Sequence, residues 1–301
     1  QYDESDYDFL KRICVQYKEN QYFTGIDLVI GPHREFPVVK LSYDIELQSF
    51  EMCSRLVPNQ FSNYYYQRES HTTMVQDSPA DIDNATNLLD IVSRRSDKLT
   101  WLEKPYTPSD AYVPDMDGLI EHTKRRKVSE GARMFYVRGV CKTSEVRLGR
   151  ILDISMPENL GGAGLGRYRV HSVVHEFDDN GHYRCEFSGI PADLQYYPMP
   201  KVPLPAPQLI ECEVWSNQDP LGIGRIMVRY PFDERPCETW IPVMTPDAGG
   251  NGKGLGPYSR GISYVPEVSD TVAVGFLDGP KLAQPVVLGS MYHGQNAANL
   301  G

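Results

Sequence analysis

The sequence predicts a mainly β fold with minor α content, on three grounds: its turn-forming residues, its aromatic balance and a succession of period-2 segments. The 301 residues include 25 Gly and 23 Pro, and Tyr (19) outnumbers Phe (10). That composition suits strands and turns better than a helical bundle. Hydrophobic residues make up 41% and charged residues 23%, which excludes wholesale disorder and gives enough chain for two or more cored units.

Three helices are expected. Residues 4–19 open with Ser5 followed by Asp8, an N-terminal capping signature, and then place Phe9, Ile13, Cys14 and Tyr17 at helical spacing. Residues 83–96 carry Ala85, Leu88, Leu89 and Val92 on one stripe, and 117–130 reads as a third helix. Between the first two, Val39, Leu41, Tyr43, Ile45 and Leu47 alternate with polar residues, which predicts one half-buried strand over 39–47.

Strand patterns then dominate: 134–140, 147–154, 168–176 and 182–189, read as an antiparallel meander. Asp178-Asp179-Asn180-Gly181 joins the last two, and its Asn-Gly favours the positive φ angles of a tight hairpin. Six prolines between Pro191 and Pro207 lack amide donors and cannot sit inside a sheet, so 191–208 is expected to be an extended linker at a domain boundary. Five short strands follow, over 209–214, 224–230, 239–243, 271–276 and 286–291. Ile226, Val228 and Tyr230 share one face and Arg225, Met227 and Arg229 the other, as a closed barrel with a packed interior requires. Five strands with a Gly-rich excursion at 247–261 before the fourth fit an OB-type Greek-key barrel.

The charge balance and the motifs exclude several functions. Lys+Arg is 30 against Asp+Glu 40, a net charge of −10 that repels phosphate backbones and anionic lipid, so nucleic acid is not expected as a partner. No apolar run is long enough to span a bilayer as a helix. Cys14, Cys53, Cys141, Cys185, Cys212 and Cys237 form no CxxC pair, and reduced, mostly buried thiols are expected. Gly161 to Gly166 fails GxGxxG, and Gly250 to Gly256 fails GxxxxGK[ST] because Gly254 follows Lys253; both read as loops. His171, His175 and His182 make a three-imidazole metal site thinkable, yet strand positions four apart are separated by roughly 13 Å, too far to share one ion. Lys124-Arg125-Arg126-Lys127 reads as a solvated helix end, and Asp178 and Asp179 as turn residues. GxSxG is absent. No catalytic, cofactor-binding or metal-binding residue is assigned, and no enzyme activity is expected.

Three blocks carry a family resemblance. Residues 1–25 (QYDESDYDFLKRICVQYKENQYFTG) resemble the segment of VgrG-type spike proteins in which ESD-aromatic-x-F-L opens a helix that ends in an aromatic pair and Gly. Residues 166–200 (GRYRVHSVVHEFDDNGHYRCEFSGIPADLQYYPMP) are similar to the close of the hub module, with its hairpin, IPA and proline exit. The most specific block is 222–233 (GIGRIMVRYPFD) with Trp240-Ile241-Pro242-Val243, 265–270 (VPEVSD) and 285–289 (PVVLG), which are similar to the VgrG OB domain. The stretch 247–261 lacks the Trp-containing pattern common in the family, and 278–282 is a looser version of the usual turn.

The resemblance implies a partial phage tail-hub-like β-barrel module with helices over 1–190, the proline-rich linker over 191–208, a five-stranded OB-fold domain over 209–295, and a tail at 296–301 leading towards a β-helix needle beyond the chain. Both ends are expected to be truncated. It implies a homotrimeric structural spike of a type VI secretion or related contractile injection apparatus that punctures target membranes and carries effectors. Its partners would be an Hcp-like hexameric tube protein, a PAAR-like tip protein, effectors and baseplate components, with no cofactor and only transient contact with the target membrane. The protein would reside in the bacterial cytoplasm before firing and be secreted afterwards. Tyr64-Tyr65-Tyr66, Tyr196-Tyr197 and Trp215 suit either an interface or the interior of their own domain. Two other functions stay open: a cell-wall-active hydrolase with a carboxylate pair, and an OB-fold oligonucleotide or sugar binder with a basic, aromatic-lined groove.

Overall fold

A computed structural model describes residues 4–99, 103–205, 208–249, 260–277 and 284–298. The chain divides into two units, Asp3–Pro203 and Leu204–Gly301. The first contains α1 (Asp6–Tyr17), β1 (Gln21–Phe23), β2 (Leu28–Ile30), β3 (Val39–Ser42), β4 (Leu47–Ser54), β5 (Ser62–Gln67) and β6 (Thr72–Asp77). It continues with α2 (Asn87–Leu99), β7 (Tyr106–Pro108), α3 (Met116–Gly131), β8 (Phe135–Cys141), β9 (Ile151–Ser155), β10 (Gly164–Phe177) and β11 (Tyr183–Pro191).

The expected capping is present: Ser5 Oγ accepts from the Asp8 amide at 3.2 Å and starts α1. The helix ends at Lys18, a non-glycine residue with φ 57°. Its ammonium group offsets that strain by bonding the Val15 carbonyl at 3.0 Å and Asp110 at 2.7 Å. Against the cost of burial, hydrogen bonds from His122 and Lys18 hold the Asp110 carboxyl well below the usual carboxylate range. The second helix starts at Asn87, later than expected, because Asn84 at φ 58° interrupts it and Thr86 Oγ1 receives the Leu89 amide. Its buried stripe is Leu89, Ser93 and Ser96, while Leu88 faces outward.

The strand expected over 39–47 is two strands. Asp44 sits at φ 65°, its amide bonds the Leu47 carbonyl at 2.8 Å, and Ile45 is exposed. Period-2 alternation survived across this turn in the sequence and hid it. The two strands occupy opposite edges of one six-stranded sheet, ordered β3-β9-β10-β11-β8-β4, in which only β3 and β9 run parallel. Edges of a flat six-stranded sheet would lie about 24 Å apart. The chain from Ser42 to Leu47 spans at most about 18 Å. The sheet therefore curls into a half-barrel around a core that includes Leu41, Leu47, Val137, Leu152, Ile154 and Val170. A plain meander would have paired β8 with β9; instead β8 lies between β11 and β4. In the interior Phe187 covers Gly139, where an added Cβ would lie 2.5 Å from the ring and 2.9 Å from the Ser49 carbonyl.

The hairpin joining β10 and β11 turns through 178–182, with Gly181 at φ 79° supplying the left-handed residue. Asp178 Oδ1 receives the amides of Asn180 at 3.0 Å and His182 at 2.7 Å, the local role expected of it. The Gly161–Gly166 run is a loop only at its start, because β10 begins at Gly164.

The basic cluster on α3 is not a solvated end. Lys127 is 1% exposed, and its Nζ donates to the Asn59 carbonyl at 2.7 Å. Arg126 lies over the Phe61 ring at 4.1 Å and donates to Asn63 and Thr107. Arg125 pairs with Glu19 and Glu121 and covers Tyr196. Helical spacing spreads these four residues round the helix, and α3 is packed on several sides, against β5, β6 and the segment after β11. Burial pushes the Lys127 ammonium down from its ordinary value.

That segment is also partly interior. Leu194, Tyr197 and Met199 are buried. Asn20 receives the Tyr197 amide at 2.8 Å and donates to the Gln195 carbonyl at 2.8 Å. Ser129 Oγ donates to the Tyr197 carbonyl and accepts from the Met199 amide. Prolines alternating with buried apolar residues make this stretch of the expected extended linker a strap bound to the first unit through Met199.

The second unit contains β12 (Ile210–Ser216), β13 (Arg225–Arg229), β14 (Ile241–Pro242), β15 (Ala248–Gly249), β16 (Arg260–Gly261), β17 (Thr271–Leu277) and β18 (Gln284–Met291). Its five-stranded sheet has the order β14-β13-β12-β17-β18. A parallel bridge between Val243 and Val287, with the Met244 amide on the Val287 carbonyl at 2.8 Å, brings the two edge strands together and closes the barrel. This is the OB connectivity expected from the strand pattern.

Two outcomes test these packing arguments in chemical denaturation. Gly139→Ala should cost about 1–3 kcal/mol because neither the Phe187 ring nor the Ser49 backbone can retreat cheaply. Lys127→Met should cost about 1–3 kcal/mol, the range for a buried carbonyl left unpaired; a surface lysine would show no effect.

Candidate functional site

The barrel interior is solid. Cys212, Val214, Ile226, Val228, Ile241, Val272, Val274 and Val287 alternate inward, each no more than 3% exposed. Among the described residues these side chains fill the barrel's centre and leave no small-molecule chamber there; the features described next lie on its outside.

One structured feature there is the turn joining β12 and β13. Asp219 receives the amides of Leu221, Ile223 and Arg225 at 3.0–3.2 Å, and the Arg225 guanidinium at 2.8 Å. The side chains of Arg225 and Asp219 are 10% and 3% exposed. The Arg225 hydrogen bond, helped by the three amides, holds the Asp219 carboxyl well below the usual carboxylate range. This clamp presents Leu221 and Ile223 to solvent, 57% and 58% exposed.

A second feature is the β15–β16 ribbon. Thr245 Oγ1 donates to the Ile262 carbonyl, and the Ile262 amide reaches Asp247 at 3.0 Å. Gly261 has φ 134°, and a Cβ there would fall 2.1 Å from the Asp247 carbonyl oxygen, so only glycine fits. A shallow hollow of about 520 Å³ lies between Ile223, Val243, Ile262 and Tyr264. Phe232, Met244, Ile262 and Tyr264 are each more than half exposed.

The residues considered as candidate sites in the sequence are dispersed. His175 bonds Tyr183 at 2.6 Å, His182 bonds Asp178 at 2.9 Å, and His171 lies beside the Tyr197 ring. Among the described residues no group of three His, Cys, Asp or Glu side chains is placed to hold a metal ion. All six cysteines are free thiols, four of them buried. Of the barrel's basic residues, Arg225 is committed to Asp219, and Arg229 pairs with Glu213 and lies over Trp215. Both of these arginines are thus paired with carboxylates. Lys253, Lys281 and the Gly250–Gly256 run lie outside the described residues. The aromatic runs separate: Tyr65 and Tyr197 are buried, Tyr64 stacks on Tyr106, and Trp215 is 48% exposed. Sequence reasoning missed the Asp219 clamp, although Asp-Pro-Leu-Gly before a strand is a turn signal that could have found it.

The family model for the type VI secretion system/phage-baseplate injector OB domain matches residues 210–292. The second unit is an injector OB domain. The match falls on the segment whose motifs most closely resemble VgrG-type spike proteins, and it bears out that resemblance. The injector OB domain begins at β12 and takes in the clamp, the ribbon and the closing strand.

Solved structures align with the chain at low identity. An Escherichia coli type VI secretion component, itself described as similar to T4 bacteriophage tail proteins, aligns with 97% of this chain and 62% of its own at 14% identity and TM-score 0.49. A Francisella PdpA-VgrG complex aligns with 97% of this chain and 53% of its own at 10% identity and TM-score 0.45. A Neisseria meningitidis tail protein aligns with 65% of this chain and 57% of its own at 12% identity and TM-score 0.43. The chain spans less than two thirds of each. No curated protein matches the sequence. No helix among the described residues is long and apolar enough to cross a membrane.

The clamp gives a signed pH expectation. A carboxyl depressed in the folded state contributes stability that is present above its unfolded value near 4 and is lost as pH falls through the folded value. Asp219→Asn should lower the thermal midpoint of the injector OB domain at pH 7 and flatten the acid limb of its stability profile, read by scanning calorimetry.

Proposed function

We propose that the chain is a structural part of a contractile injection spike: a hub-like module followed by the injector OB domain, acting as a homotrimer. The carrying observation is that residues 210–292 match an injector OB domain whose interior is filled with apolar side chains and whose outside carries clamped, exposed apolar residues. Such a barrel is suited to holding its shape and associating, not to turnover. In this reading the work comes from the apparatus. The protein supplies a rigid, self-associating tip that punctures the target membrane, docks on a hexameric tube protein and carries a tip protein and effectors.

The exposed apolar residues supply the burial that association needs. Net charge −10 keeps single copies soluble before assembly.

Sedimentation analysis of the natural full-length protein at micromolar concentration should give three chains per particle. A strictly monomeric mass would overturn the proposal. Ile223→Glu combined with Ile262→Glu should shift the mass towards monomer while leaving the far-ultraviolet circular dichroism of the chain unchanged.

A further inference from the structure

In the first unit the loop after β2 inserts His33 beneath the strap. Its ring packs edge-on against Tyr197 (centroids 4.6 Å apart) and tilted against Tyr22 (5.9 Å). Both ring nitrogens are buried without a hydrogen-bond partner. The neighbouring cation is Arg169 on β10, whose Nη atoms hold the Gly149 and Ala192 carbonyls and whose Nε is itself buried and unpaired. Among the groups lining the cleft of about 310 Å³ at this point are Arg125 from α3, Glu19 after α1 and Asp193 on the strap. Glu19 is already engaged by Arg125, and Asp193 points to solvent. No carboxylate bonds the imidazole.

We propose that His33 is an acid-sensitive latch: protonation of its ring expels it from beneath Tyr197 and frees residues 192–199 from the body of the first unit. A neutral imidazole here forgoes hydrogen bonds, whereas an imidazolium would bury two charged donors with no acceptor beside a guanidinium. The closed arrangement therefore refuses the proton, and opening accepts it. Consistent with this geometry, burial first and Arg169 second push the His33 value from 6.5 down to about 3. The sign follows: the closed strap is fully favoured above the free imidazole value and loses ground as pH falls below it. At pH 4.5 the opened state gains about 100-fold relative to neutrality. His171 on β10 also faces Tyr197, at 6.2 Å, and burial lowers its value too, so it must be separated experimentally.

Hydrogen exchange read by mass spectrometry on the full chain tests the latch at pH 7.0 and 4.5, after correction for intrinsic exchange rates. The expected result is a loss of protection of about 100-fold confined to peptides covering 28–36 and 192–199, with β10–β11 amides unchanged. His33→Phe keeps an aromatic ring that cannot titrate and should hold the strap closed at pH 4.5. His171→Phe should leave the acid response in place. A parallel NMR titration of the native protein should show the His33 ring neutral down to the pH at which the strap opens. A strap that stays protected at pH 4.5, a His33→Phe protein that retains the acid response, or a His33 ring that titrates near 6.5 with the strap closed would each overturn the latch.

Discussion

Four residues, 43–46, join two strands at opposite edges of a six-stranded sheet, and the rest of the first unit is arranged around that short connection. A longer link would allow an open, gently twisted sheet. This one brings the edges together, so side chains from β3, β4 and β8 to β10 converge on one interior. Gly139 belongs to the same constraint, since the curl presses Phe187 against the β8 backbone.

Polar groups then fasten what the curl has gathered. Lys127 and Ser129, from one helix, bond the Asn59 and Tyr197 carbonyls, and the Asn20 amide group ties the segment following β11 at Gln195 and Tyr197 to the Gly31 carbonyl after β2. Buried polar groups of this kind add little net stability but are costly to leave unpaired. They therefore specify one arrangement of helices and strap rather than simply strengthening it. The barrel of the second unit uses the opposite method, an apolar filling with an ionic clamp at its first turn.

Much of the architecture was legible in the sequence because apolar alternation is a direct imprint of burial. The five barrel strands, the Ser5 cap and the Asp178–Gly181 turn could be read for that reason. Alternation is blind to a turn that happens to preserve its parity, which is why 39–47 read as one strand although Asp44 reverses the chain. It is equally blind to a long cationic side chain whose head meets a carbonyl inside the protein, which is why Lys127 read as solvated. Proline-rich composition marked where the strands give out, just after Pro191 at the end of β11; it could not report that Leu194, Tyr197 and Met199 insert into the core. His33 gave no signal, since nothing near it in sequence marks a ring that packs between two tyrosines.

The way the strap is fastened has a mechanical consequence. A pull on the chain beyond residue 203 meets the bonds of Met199 to Ser129 and Arg133 first, and those of Tyr197 to Ser129 and Asn20 next. Behind them lie the Asn20 bond to the Gln195 carbonyl and the Arg169 bond to the Ala192 carbonyl, before the load reaches β11 and the sheet. The segment therefore works as a series of tethers placed between its exit and the half-barrel.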